Sequence, residues 1–214
     1  MNLRPIQRIA FAGAVMGAFT FTACAEKQQE TTEAAQDQHE GMDHSTMDHG
    51  QMTTQEVIEA PDYTSVGGPV KAQVAALVDS YLKLKDALVA SNAQTAKAAT
   101  ESVLAAAEKI DLAALQGEQK AFAEEKVEEV KQSATKIAEA GEVSAQRESL
   151  ELLSEATFSL TKAFGATDQK LYYQHCPMAN NNQGAYWLSA NQEIRNPYFG
   201  EQMLKCGSTE EVLN

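Results

Sequence analysis

Apolar residues recur every three or four positions from about residue 61 to about residue 165 of this 214-residue chain. That spacing places them on one face of each of four successive amphipathic helices. Ser91-Asn92 offers a break, and Gly141 and Gly165 stand where helices commonly end on a left-handed residue. Short connections make neighbouring helices antiparallel, so the pattern predicts a mainly α fold, an antiparallel four-helix bundle. The apolar positions are Val70, Val74, Leu77, Val78, Tyr81, Leu84 and Leu88, then Val103, Leu104, Ala107 and Ile110, then Phe122, Val127, Val130, Ala134 and Ile137, then Leu150, Leu153, Leu160 and Phe164.

The composition changes after residue 167, where the helical spacing stops. This stretch holds the single Trp of the chain, three consecutive Asn and the turn-forming Asn196-Pro197. Residues 184–188 (GAYWL) predict a short strand, and residues 201–207 (EQMLKCG) predict a helical turn. We therefore predict one domain, residues 61–214, in which an irregular C-terminal segment of short strand, turns and helical turn follows the bundle.

The N-terminus has the pattern of an export signal, since two arginines precede an apolar run (residues 9–21) that is too short to span a bilayer. The run ends in FTAC, which resembles the lipobox of bacterial lipoproteins and makes Cys24 the expected lipidation site. Residues 1–23 are then a lipoprotein signal peptide. The residue after the lipidated cysteine is Ala25 and not Asp, so retention at the inner membrane is not signalled. The alternative is an ordinary secreted protein. We expect a membrane-anchored lipoprotein facing the periplasm of a Gram-negative cell, at the outer membrane.

Residues 24–60 form a polar, acidic segment with almost no large aliphatic side chains, which predicts a disordered linker. Within it, HEGMDHSTMDHGQM repeats Met-Asp-His and interleaves imidazole with thioether. Thioether is a soft ligand for Cu(I), and imidazole accepts either copper state, so the pattern favours copper or silver. The alternatives are incidental Met and His in a low-complexity linker, or weak zinc or nickel binding through His. The predicted ligands are His39, Met42, His44, Met47, His49 and Met52.

The formal net charge of −13 argues against a nucleic-acid partner, because phosphate binding needs clustered Lys and Arg. The chain lacks a phosphate loop, Rossmann glycines and the HExxH motif of zinc proteases. His175 and Cys176 are adjacent, but sequence neighbours rarely take the geometry of a base and its nucleophile. We therefore predict that the protein is not an enzyme.

Three motifs stand in the C-terminal third: YYQHCPMANNNQGAYWLS, IRNPYFG and MLKCG. Together they resemble the signature of a helical domain family of unassigned function, found in periplasmic lipoproteins and on adaptor subunits of heavy-metal efflux pumps. The resemblance covers residues from about 66 to 213 and implies copper and silver handling. A weaker resemblance is to the Tyr-x-Cys-Pro-Met-His-Pro motif of short heavy-metal-binding domains, although Ala179 replaces its His. The metal ligands that the family resemblance implies are His175, Cys176, Met178, Met203 and Cys206.

Two states are open for the cysteines. An oxidising compartment favours a Cys176–Cys206 disulfide, which would close a loop of about 30 residues and stabilise the fold by roughly 3–4 kcal/mol. The other state is a reduced thiolate site that binds a metal. It also explains why His175, Met178 and Met203 stand so near the cysteines in the sequence.

The leading hypothesis is a periplasmic lipoprotein that carries Cu(I), or silver, as cargo. It would buffer the ion or pass it to a heavy-metal efflux adaptor or another periplasmic acceptor, with no organic cofactor. The alternative is a non-catalytic interaction module of an efflux assembly, in which Cys176–Cys206 is a structural disulfide.

Overall fold

The computed structural model describes residues 58–214. This part of the chain is mainly helical and ends in a small three-stranded antiparallel sheet. The predicted signal peptide, the lipidation site Cys24 and the Met/His motif at residues 39–52 lie outside the described residues. No helix within residues 58–214 has the length and apolar character needed to cross a membrane.

The helices follow the predicted spacing closely. They are α1 (Gly68–Val89), α2 (Ala93–Glu108), α3 (Gly117–Glu139), α4 (Val143–Arg147) and α5 (Leu150–Phe164). The predicted break after α1 is confirmed, and the Asn92 side chain caps α2 by accepting a hydrogen bond from the Thr95 backbone N–H at 2.9 Å. The predicted end of α5 is confirmed at Gly165, which has a φ of 58°.

The region around Gly141 differs from the prediction. α3 ends at Glu139, Ala140 is extended with φ −70° and ψ 129°, and Gly141 does not have a positive φ. The short helix α4 then follows, and the sequence pattern did not predict it. Five residues are too few to show a helical period, and its one buried side chain is the polar Gln146.

The four long helices pack in a cyclic order: α1 on α2, α2 on α3, α3 on α5, and α5 on α1. Nearly all the predicted apolar positions are buried, and only Leu104 and Phe122 are partly exposed. The mainly α fold is therefore confirmed, with the spacing of apolar residues as its cause.

The C-terminal segment is more regular than predicted. Strand β2 (Ala185–Ser189) confirms the predicted strand, but β1 (Leu171–Cys176) and β3 (Ser208–Leu213) were not predicted. β1 lies at the centre and pairs antiparallel with both neighbours. The sheet rests on the helices through β2 in particular, whose Leu188 backbone N–H donates to the Tyr81 hydroxyl of α1 at 3.1 Å.

The Lys162 side chain joins the first and last parts of the described chain. The Lys162 ammonium of α5 donates to the Ile58 carbonyl at 2.7 Å and to the Glu211 carboxylate of β3 at 2.6 Å. Both side chains of the pair are largely buried, which strengthens the interaction relative to an exposed pair.

Candidate functional site

Cys176 and Cys206 meet at one end of the sheet. Cys176 is the last residue of β1, and Cys206 follows the short 3₁₀ helix Gly200–Met203. Both cysteines are free thiols, and their Sγ atoms lie 3.1 Å apart. Cys176 is fully buried, whereas Cys206 is partly exposed. The structure thus makes a dithiol with one inner and one outer sulfur.

The loop that carries Cys206 is held by Asn196, which is fully buried. Its side-chain amide donates to the Cys206 carbonyl at 2.9 Å, and its backbone N–H donates to the Leu204 carbonyl at 2.8 Å. Its side-chain oxygen accepts from the Tyr198 backbone N–H at 2.8 Å, and the Tyr198 hydroxyl donates to the Tyr186 carbonyl at 2.6 Å. The loop is therefore fixed both internally and to β2, which holds the outer thiol in place.

Gly207 lets the chain after Cys206 lie directly on β1. A Cβ at this position would lie 2.6 Å from the His175 carbonyl oxygen and 2.9 Å from the Trp187 ring, and φ is 141°. Any other residue would push the two segments apart. The sequence marked Asn196 only as a turn residue and gave no role to Gly207, because both roles depend on contacts between segments.

The contact between the thiols also raises the pKa of Cys206. The hydrogen bond with Cys176 is the largest cause that raises the pKa of the Cys206 thiol, and burial adds to it. Cys206 therefore carries its proton at neutral pH when no metal is present.

His175 does not join this pair. Neighbouring residues of a strand point to opposite faces, so His175 points away from the face that carries the Cys176 sulfur. Its ring packs on Tyr186 with ring centroids 4.3 Å apart, and Tyr186 stacks in turn on Tyr173 at 5.0 Å. Gly184, with a φ of 87°, lies under the imidazole, where a Cβ would overlap Nε2. The imidazole ends an aromatic stack.

The two methionines take different positions. Met178 is 46% exposed and lines an open surface cavity of about 450 Å³ together with Tyr198 and Phe199. Met203 ends the 3₁₀ helix and is partly exposed. Of the five ligands expected in this region, the structure brings the two cysteines into contact and turns His175 to the other face. Residues 58–214 contain no group of three or more His, Cys, Asp or Glu side chains that could hold a metal ion.

The three consecutive asparagines form a left-handed turn between β1 and β2. Asn180, Asn181 and Asn182 have φ values of 48°, 56° and 65°. Asn adopts this conformation more readily than other residues with a side chain, which explains the unusual run. The Asn180 amide also donates to the Glu151 carboxylate of α5.

Glu151 has an unfavourable position for a charge. Burial is the largest cause that raises the pKa of Glu151, and repulsion from Glu155 adds to it, while the hydrogen bond from Asn180 opposes them. This carboxyl lies on α5, which packs against strand β2 as well as against α1 and α3.

Residues 77–169 match a protein family described as "Protein of unknown function (DUF3347)". The match covers less than half of the chain and ends before the HCPM and MLKCG motifs. No curated protein matches the chain. No solved structure matches it either. Over residues 77–169, the chain is therefore similar to a helical family whose function is not assigned.

Proposed function

We propose that this protein is a periplasm-facing lipoprotein that binds copper as Cu(I), or silver, and buffers it or passes it to a heavy-metal efflux adaptor or another acceptor. The contact between the Cys176 and Cys206 thiols is the observation that supports this function best. Thiolate is a soft ligand and favours Cu(I).

The number of available ligands favours a metal of low coordination number. Structural zinc usually takes four protein ligands, and the described residues offer no such group of His, Cys, Asp and Glu. Two sulfurs are enough for Cu(I) or Ag(I). In a linear two-coordinate arrangement, two sulfurs about 2.3 Å from the ion lie roughly 4.6 Å apart, so the pair would open by about 1.5 Å from its separation of 3.1 Å.

The rest of the proposal depends on the sequence. A lipid on Cys24 would anchor the chain, and the Met/His segment at residues 39–52 would collect the ion through exchangeable ligands. The long helices, as an antiparallel four-helix bundle, would serve as the scaffold that presents the dithiol. Ion transfer would proceed by ligand exchange from weaker thioether and imidazole to stronger thiolate.

An anaerobic Cu(I) titration of the full chain against a competing chelator tests this function. Three variants separate the contributions of the dithiol and of the Met/His segment to Cu(I) binding. They are Cys176→Ser/Cys206→Ser, the triple Met→Leu change at positions 42, 47 and 52, and Cys24→Ser as the matched cysteine control. We expect the double serine variant to lose the tightest site and the triple variant to lose weaker sites. Cys24→Ser should keep both.

The alternative function predicts a different result. If Cys176 and Cys206 serve only as a disulfide in an interaction module, the reduced chain keeps the same Cu(I) affinity after both cysteines are replaced. Its free energy of unfolding would instead fall by roughly 3–4 kcal/mol when the disulfide is reduced. That combination would refute the copper role of the cysteines.

A further inference from the structure

We propose that the Cys176–Cys206 dithiol also reduces Cu(II) to Cu(I), with formation of a disulfide within the chain. This inference rests on the proposed function, because copper is the ion that the protein would meet. It adds a chemical activity to what would otherwise be a binding site.

The sulfurs are already placed for bond formation. They are 3.1 Å apart, and a disulfide bond is about 2.05 Å long, so closure needs a movement of about 1 Å. Asn196 holds the loop of Cys206 together, and Gly207 lets that loop lie directly on β1, so the two sulfurs are already close without a large rearrangement of the chain.

The two thiols differ in access. Cys206 is partly exposed and can be reached from solvent, whereas Cys176 is fully buried behind it. Cu(II) therefore meets Cys206 first, and Cys176 supplies the second sulfur from within the protein. This arrangement also keeps Cys176 away from thiols of other chains, which favours a disulfide within one molecule.

The ligands available near the pair do not suit the oxidised ion. Cu(II) prefers a tetragonal set of nitrogen and oxygen ligands, and the imidazole of His175 lies on the opposite face of the sheet. Residues 58–214 contain no cluster of three or more His, Cys, Asp or Glu side chains that could bind Cu(II) and stabilise it in the oxidised state.

The reaction balances with two copper ions. Both S–H bonds break, one S–S bond forms, and the two protons go to solvent. The two sulfurs give up two electrons in total, and each of two Cu(II) ions takes one and becomes Cu(I). An external dithiol reductant would restore the two thiols by thiol–disulfide exchange.

The experiment uses the full chain with Cys24→Ser, so that Cys176 and Cys206 are the remaining thiols. The reduced protein, freed of reductant under anaerobic conditions, receives two equivalents of Cu(II) chloride at low micromolar concentration with bicinchoninate as the chromogenic Cu(I) chelator. We expect about two Cu(I) ions per chain, loss of both thiols and a monomer about 2 Da lighter, as two hydrogens leave.

Single replacements show whether the pair acts as a unit. In Cys176→Ser the outer thiol remains accessible, but its disulfide can form only with a second chain. We expect the initial rate of Cu(I) formation to fall at least tenfold in Cys176→Ser and likewise in Cys206→Ser, with the double variant as background. Circular dichroism confirms that each variant is folded, and Cys176→Ala is the second choice at the buried position.

Two results would overturn the inference: native protein that keeps both thiols in the presence of Cu(II), or Cys176→Ser that reduces Cu(II) at the parent rate. The Cu(I) titration distinguishes this failure from failure of the proposed function. Thiols that bind Cu(I) but leave Cu(II) unreduced refute the redox activity alone. Thiols that reduce Cu(II) but bind no Cu(I) refute the binding role alone.

Discussion

Replacement of Gly184 by alanine tests the packing role of His175. A new Cβ would overlap His175 Nε2 and lie 3.2 Å from Cε1, so the imidazole must turn away from Tyr186. The lost ring contact costs about 0.5–1.5 kcal/mol, and a strained rotamer costs a similar amount. Alanine at a φ of 87° adds roughly 1–2 kcal/mol. We expect Gly184→Ala to lower the free energy of unfolding by about 2–5 kcal/mol.

A double-mutant cycle separates these contributions. In a His175→Ala background the clash is absent, so Gly184→Ala should cost only the backbone part, about 1–2 kcal/mol. Urea denaturation of the four proteins gives the coupling energy, which we expect to be about 1–3 kcal/mol. Equal losses in both backgrounds, within about 0.5 kcal/mol, would refute the packing that the structure describes. We also expect His175→Ala to leave Cu(I) affinity nearly unchanged, since its ring lies on the face opposite to the sulfurs.

Gly207→Ala places a Cβ 2.6 Å from the His175 carbonyl oxygen, so we expect a loss of about 2–4 kcal/mol in chemical denaturation; an unchanged midpoint would contradict this close approach. Glu151→Gln removes a carboxylate whose pKa is raised by burial and by Glu155, so its neutral form is the one that the fold favours. Thermal unfolding should show a gain below about 0.5 kcal/mol at pH 7 that disappears below the ordinary pKa of 4.5, and a gain independent of pH would contradict it. Asn196→Ala leaves a loop carbonyl without its donor and should cost about 1–3 kcal/mol, together with slower formation of the disulfide; a loss of stability without any change in that rate would show that the loop does not position the outer thiol.

The helices could be predicted because their signal is local. Three-four spacing over fifteen or more residues identifies the buried face of α1 or α5 without knowledge of any other segment. The sheet lacks such a signal. β3 has the polar sequence STEEVL, and β1 pairs with β3 across a register shift between Tyr173 and Gln174. Strand pairing of this kind depends on distant residues, which a single sequence does not reveal.

The candidate site shows the same limit. The types of residue in HCPM and MLKCG predict soft-metal or disulfide chemistry. The direction in which each of these side chains points, however, depends on the secondary structure. Once β1 is known to be a strand, alternation of side chains separates His175 from Cys176. The asparagine run carried a usable signal, since Asn is the residue with a side chain that best tolerates positive φ.

The Lys162 ion pair has a consequence for how the domain can be joined to other proteins. One ammonium group binds the carbonyl of Ile58 and the carboxylate of Glu211, so the two ends of the described part of the chain, residues 58–214, lie close together. A domain with adjacent ends can be inserted into a surface loop of another protein without stretching either junction.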